Sequence, residues 1–173
     1  MTPTPDASKA LTKNPLGATG EAVAANVERL RTEQNLTFAA LSERLSRIGR
    51  PIPTLGLRKI VAETRRVDAD DLAALAAALD VSPVTLLMPE TSDADEQVSV
   101  TGKEGPVPAG QVWDWLRAWE TIDRKGRLEW FIRSWPVWDR DRLAEKLDAF
   151  KQRQEDHLQR RRVAKGEAAD GND

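Results

Sequence analysis

The sequence predicts an all-α protein, with five short helices across residues 19–89 followed by a Trp-rich helical C-terminal region. Three observations carry that expectation. Apolar residues recur at spacings of three and four, the period of one helix face, in successive stretches from Thr19 to Phe150. Thr37, Asp68, Ser82 and Asp139, all good N-cap residues, stand directly before apolar stripes. Strand-like alternation is confined to Val98-Ser99-Val100, read as a short strand.

Taken in order, residues 1–18 are polar, with Thr, Pro, Asn and Gly, and read as a flexible arm. Val23, Val27, Leu30 and Gln34 then share one face of a helix over 19–34. Thr37 N-caps a second helix with Phe38, Leu41, Leu45 and Ile48 inward, and Gly49 ends it. Arg50-Pro51-Ile52-Pro53 cannot be helical, because each Pro drives the residue before it towards an extended conformation. A third helix runs from Thr54 to about Thr64 with Leu57, Ile60 and Val61 inward. Asp68 caps a fourth, which buries Leu72, Leu75, Ala76 and Leu79. Ser82-Pro83 opens a fifth, with Pro at the first helical position, and Pro89 stops it after Leu86, Leu87 and Met88.

Residues 90–110 read as a linker, since 91–97 is acidic and polar and 102–110 holds three Gly and two Pro. All six Trp follow it. Val112, Trp115, Leu116 and Trp119 fit one helix face, and Leu128, Phe131, Ile132 and Trp135 fit another that Pro136 ends. Asp139 caps a last helix with Leu143, Leu147 and Phe150 inward. The expected layout is an arm at 1–18, a helical domain at 19–89, a linker at 90–110, a helical region at 111–151 and a polar tail at 152–173.

Composition narrows the classes. At 173 residues, 40% hydrophobic and 31% charged, the chain can bury a core. It has no apolar run long enough to span a membrane, and its polar start lacks the apolar segment of a secretory signal. With no Cys, a reducing, cytoplasmic location is the expectation. A single His, His157 in the polar tail, gives no zinc ligand set and reads as a surface residue. No nucleophile–base pattern, phosphate-binding glycine loop or metal spacing is present, so neither enzyme activity nor a cofactor is expected.

The net charge of −2 hides a sharp asymmetry. Residues 26–66 hold nine Lys/Arg against four Glu, whereas 67–104 hold one Lys against nine acids. A basic stretch of that kind is the electrostatic footprint of a nucleic-acid contact, with the acidic stretch keeping the rest of the chain off phosphates.

The basic stretch coincides with a resemblance. Asn26-Val-Glu-Arg-Leu-Arg and Leu36-Thr-Phe-Ala-Ala-Leu-Ser-Glu-Arg-Leu look like the first two helices of XRE-family, lambda-repressor/Cro-like DNA-binding domains. Arg65-Arg66-Val67-Asp68, then Leu72 to Leu79 and Val-Ser-Pro-Val-Thr-Leu-Leu-Met88, look like its fourth and fifth. The match covers about 70 of 173 residues, and Pro51-Ile-Pro-Thr-Leu-Gly-Leu57 resembles members from actinobacteria and their phages.

The resemblance implies a helix-turn-helix whose third helix enters the major groove of double-stranded DNA. It assigns Thr54, Leu55, Gly56, Arg58 and Lys59 to base contact, Arg58 and Lys59 foremost, with Gly56 letting the backbone approach DNA. Thr37, Arg44, Arg47, Arg50, Arg65 and Arg66 become the phosphate contacts. Three features depart from the family. The turn before the third helix is about five residues longer, Val61 replaces a commonly acidic residue, and Glu63 replaces the Gly that ends this helix in a left-handed cap, so that cap is expected to be missing. The function so implied is a transcription regulator, a repressor, working as a homodimer. Trp113, Trp115, Trp119, Trp130 and Trp135 are the candidate interface anchors. The alternative is an antitoxin-like interaction protein whose C-terminal region binds a protein partner.

Overall fold

The computed structural model describes residues 15–125, 128–142, 145 and 148. The chain is mostly helical, with one two-stranded sheet among the described residues. It divides into two units between Arg124 and Lys125. The first contains α1 (Ala18–Glu33), α2 (Phe38–Arg47), α3 (Thr54–Val61), α4 (Ala69–Ala78), α5 (Pro83–Leu87), β1 (Gln97–Val98), β2 (Val107–Pro108) and α6 (Ala109–Leu116). The second contains α7 (Leu128–Ser134) and a 3-10 turn at Val137–Asp139.

Three helices start where their capping chemistry predicts. Thr37 Oγ1 accepts the Ala40 N–H at 3.0 Å, Asp68 accepts that of Asp71 at 2.7 Å, and Ser82 accepts that of Val84 at 3.3 Å. The helix ends follow a rule that the sequence hides. α1, α2, α3, α4 and α6 each stop at a left-handed residue: Asn35, Gly49, Glu63, Asp80 and Ala118, with φ of 54°, 81°, 58°, 54° and 56°. After α3, the Glu63 N–H reaches the Ile60 carbonyl and the Thr64 N–H reaches that of Lys59, both at 2.9 Å. These two bonds satisfy carbonyls that the helix end would otherwise orphan.

The expectation that the cap is missing at Glu63 is therefore overturned. A Cβ in this conformation costs about 1 kcal/mol, less than two carbonyls left unbonded beneath a helix already fixed by Leu57 and Ile60. Glu63→Gly should relieve the strain and stabilise the protein by about 0.5–1 kcal/mol. A higher urea midpoint is the expected reading, and an unchanged or lower one would refute it.

The core of the first unit gathers Val23, Val27 and Leu30 from α1, Leu41 and Leu45 from α2, Leu57 and Ile60 from α3, Leu75 and Leu79 from the α4 end, and Leu86 from α5. α1 packs on α3 and α5, α2 on α3 and α4, and α4 on α5. Between α2 and α3 the inward residue changes. Ile48, expected inside, is 50% exposed, and Ile52 is 1% exposed in its stead. The reason is local: Ile48 is already the cap of α2, and Gly49 reverses the chain before the face can continue. Ser42 Oγ donates to the Ile52 carbonyl at 2.7 Å, so the long connection is anchored to α2.

Residues 90–110 are not a linker. β1 and β2 pair antiparallel, with Gln97 opposite Pro108 and Val98 opposite Val107. Val98, Val100, Val107, Ala109 and Val112 form a second small core against Met88, Leu116 and Ile122. Gly102 and Gly105, with φ of 89° and 74°, supply the reversal between the strands. Thr19 and Thr101 each donate a backbone N–H to the other's hydroxyl, at 3.3 and 2.9 Å respectively, which ties the hairpin to α1. Of the three glycines that looked like flexibility, Gly102 and Gly105 are turn residues and Gly110 lies in α6.

In the second unit, Trp130 packs edge-to-face on Phe131 at 5.0 Å. Phe131 and Trp135 are half-buried, while Leu128 and Ile132, expected on the same inward face, are exposed. Leu143, Leu147 and Phe150 lie outside the described residues.

Candidate nucleic-acid interface

Leu57 and Ile60 fix the roll of α3, and the 3.6-residue period then sends positions 55, 58, 59 and 62 outward. Leu55 is 64% exposed, an unusual place for a large apolar side chain. Arg58 and Lys59 are exposed beside it, and Thr54 and Gly56 are half-buried. Among the described residues, Lys59 makes no ion pair or hydrogen bond through its side chain. The Arg58 guanidinium lies over the Phe38 ring, 4.9 Å from its centroid, and its N–H groups have no protein acceptor among the described residues.

Gly56 has a use within the chain. A Cβ there would come within 2.6 Å of Arg65 Nη1 and 3.1 Å of Ile52 Cγ2. The missing side chain makes room for a guanidinium of the same chain.

Three of the arginines assigned to phosphates are tied to partners within the chain. Arg50 Nε donates to Asp71 Oδ1 at 2.8 Å, and its Nη2 donates to the Asp68 carboxylate at 3.1 Å. Arg65 Nη2 donates to Asp71 Oδ2 at 2.6 Å. Arg44 Nη1 donates to Gln34 Oε1 at 3.0 Å and to the Ala78 carbonyl at 3.1 Å, and Gln34 Nε2 donates to the Leu79 carbonyl at 2.6 Å. Arg44 and Gln34 thus close the C-terminal end of α4, where carbonyls lack helical partners. The other phosphate candidates stay at the surface. Arg47 pairs with Glu43 in a highly exposed pair of little energetic weight. Arg66 is exposed and donates to the Pro15 carbonyl. Thr37 spends an oxygen lone pair on its cap and keeps its O–H as a donor.

Asp71 is the residue that sequence reasoning missed. It is 2% exposed, at the third position of α4, and its two oxygens take one arginine from each side of α3. Arg50 precedes the helix by four residues and Arg65 follows it by four, so one buried carboxylate clasps both ends of α3. The hydrogen bond that Arg50 donates to Asp71 raises the Arg50 pKa, and the charges of Asp68, Asp71 and Asp70 add to it. Asp68 is held below the ordinary carboxylate value, first by the Asp71 N–H that it accepts and then by Arg50. Three acids within four residues of a helix start was the available signal, but it names no partner.

The Trp residues divide. Trp113 and Trp119 lie against the Arg117 guanidinium, with centroids at 4.8 and 5.2 Å. Trp115 turns to an open recess of about 520 Å³ shared with Leu72, Leu87 and Leu116. Trp130 and Trp135 are half-buried, and Trp138, absent from the candidates, is 82% exposed. Among the described residues there is no group placed to hold a metal ion and no helix long and apolar enough to cross a membrane. Comparison with known proteins returns no matching family model, no matching curated protein and no matching solved structure.

Proposed function

We propose that the chain is a sequence-specific DNA-binding transcription regulator that reads the major groove with α3. One observation carries the reading. Leu55, Arg58 and Lys59 share the exposed face of a helix whose roll and ends are fixed, and both cations keep their hydrogen-bond donors unspent while most neighbouring arginines do not. Arg and Lys pair with the acceptor edge of guanine, and an apolar side chain between them suits a thymine methyl group. Arg47 and the Thr37 hydroxyl lie at the surface for phosphates, fewer than the six groups expected from the resemblance to XRE-family domains.

The test is selection of duplex DNA from a randomised pool, followed by gel shifts. The double substitution Arg58→Ala, Lys59→Ala should lower affinity for the selected site about 100-fold, since each good base pairing contributes about 1–3 kcal/mol. Undiminished affinity would remove the assignment.

One feature favours an interaction role for the second unit. Val137 and Trp138 are 74% and 82% exposed, with Leu128 and Ile132 also in water. Large apolar side chains of this kind anchor interfaces. We infer a homodimer that sets two copies on two half-sites; an antitoxin-like pairing with another protein is the competing occupant. Light scattering should give twice the chain mass, falling to one chain mass on Val137→Glu with Trp138→Arg. A monomer at all concentrations would exclude the homodimer.

A further inference from the structure

We infer that Phe38 is a specificity-determining residue, a positioning platform that aims the edge of the Arg58 guanidinium at a guanine. The inference rests on the DNA-reading role of α3 and goes beyond it by naming the base and a residue that does not itself touch DNA.

The argument starts with what fixes the ring. Phe38 is the first residue of α2, directly after the Thr37 cap, and it is half-buried against the core. A second guanidinium, that of Arg31, lies 4.3 Å from its centroid. Arg31 is itself immobilised: it donates to both oxygens of Glu28 at 2.5 and 2.9 Å and to the Leu36 carbonyl at 2.6 Å. The ring is thus a rigid surface with one locked arginine and one exposed one upon it.

Stacking and hydrogen bonding use different parts of a guanidinium. A ring attracts the flat face, while the five N–H donors lie in the plane and point away from the edge. A guanidinium placed over a ring, as that of Arg58 is at 4.9 Å, spends no hydrogen-bond donor on a protein acceptor, so the contact restrains the side chain while its fork stays available. Arg44, Arg50 and Arg65 are held instead through their forks, which leaves them less to offer a base. A planar pair of acceptors, as on O6 and N7 of guanine, is the complement of a free fork. Without the ring, Arg58 would have to give up the freedom of several side-chain torsions on binding.

The experiment compares the full-length protein with Phe38→Leu, Phe38→Tyr and Arg58→Lys, by selection on randomised duplexes and by binding to the selected site and to unrelated DNA. NMR reads the Arg58 side-chain protons in parallel. The expected result is a required guanine for which Arg58→Lys weakens the preference, because a lysine keeps the charge but lacks the planar fork. Phe38→Leu should reduce the preference for that guanine about tenfold while leaving binding to unrelated DNA within about twofold. Phe38→Tyr, which keeps the ring, should retain the preference. The Arg58 protons should show upfield ring-current shifts in the parent and in Phe38→Tyr, lost in Phe38→Leu.

Retention of the guanine preference in folded Phe38→Leu overturns the inference, and so does its loss in folded Phe38→Tyr. Absence of the ring-current shift in the parent protein overturns it whether or not any variant folds. If Arg58→Ala with Lys59→Ala abolishes site binding while Phe38→Leu keeps the guanine, only the positioning role falls. If that double substitution changes nothing, the DNA reading falls and the inference falls with it.

Discussion

Asp71→Ala is expected to cost about 3 kcal/mol and to lower the melting temperature by roughly 10 °C. The side chain is 3% exposed and accepts one charged hydrogen bond from Arg50 and one from Arg65. Each such bond contributes about 1.5–3 kcal/mol net. The arginines are 40% and 36% exposed, so each can recover hydration when its partner goes, which keeps the cost below that of two orphaned buried charges. The loss also reaches α3. With both ends of the helix released, affinity for the selected DNA should fall at temperatures where the variant is still folded. Unfolding and gel shifts on one preparation check both effects, and an unchanged midpoint would show that the clasp holds nothing.

Acid should act on the same cluster. Asp68 has its pKa lowered in the folded chain, so its contribution is present above the ordinary carboxylate value. It is lost as pH falls below that value and through the lower folded one. Stability measured from pH 6 to pH 2 should therefore decline in the acid limb, and Asp68→Asn should flatten part of that decline.

Asn26→Leu is the second large effect, expected at about 3 kcal/mol. α5 has five residues, too few to be stable alone, and its carbonyls point into the fold. The Asn26 Nδ2 group, on a residue 1% exposed, donates to the carbonyls of Thr85, Leu86 and Met88 at 3.2, 3.1 and 2.7 Å. Its Oδ1 accepts from Arg29 Nη2 at 3.1 Å. Leucine has the same branched skeleton and supplies no donor, so the carbonyls lose their partner. Asn26→Asp should be at least as damaging at neutral pH, because it turns an acceptor towards acceptors. Urea titration measures both, and a cost under 1 kcal/mol for the leucine variant would reject this account.

What could be read from the sequence was local. The 3.6-residue stripe of Leu41 and Leu45, the hydroxyl of Thr37 three residues before the Ala40 N–H, and Ser82 before Pro83 each act within one turn of chain, so residue types and spacing suffice. The outward run of Leu55, Arg58 and Lys59 was legible for the same reason, since it is the complement of the buried Leu57 and Ile60. The helix ends were less so. Glu63 takes a conformation that its side chain disfavours, and hydrogen bonds made by an already packed α3 outweigh that preference.

The fates of the arginines belonged to the tertiary structure. Charge counting treats Arg44, Arg50, Arg58 and Arg65 alike. Which of them keeps its donors depends on what faces it across 21 residues in the case of Arg50 and Asp71, or 34 in the case of Arg44 and Ala78. The hairpin at 97–108 was misread on the same grounds, because a glycine at a turn and a glycine in a linker look identical until the strands pair. By itself the sequence determined the helices of the first unit, the N-caps at Thr37, Asp68 and Ser82, and the basic face of α3. Only the packed fold decided which cations remain on that face, because a guanidinium is free or spent according to the partner the fold brings to it.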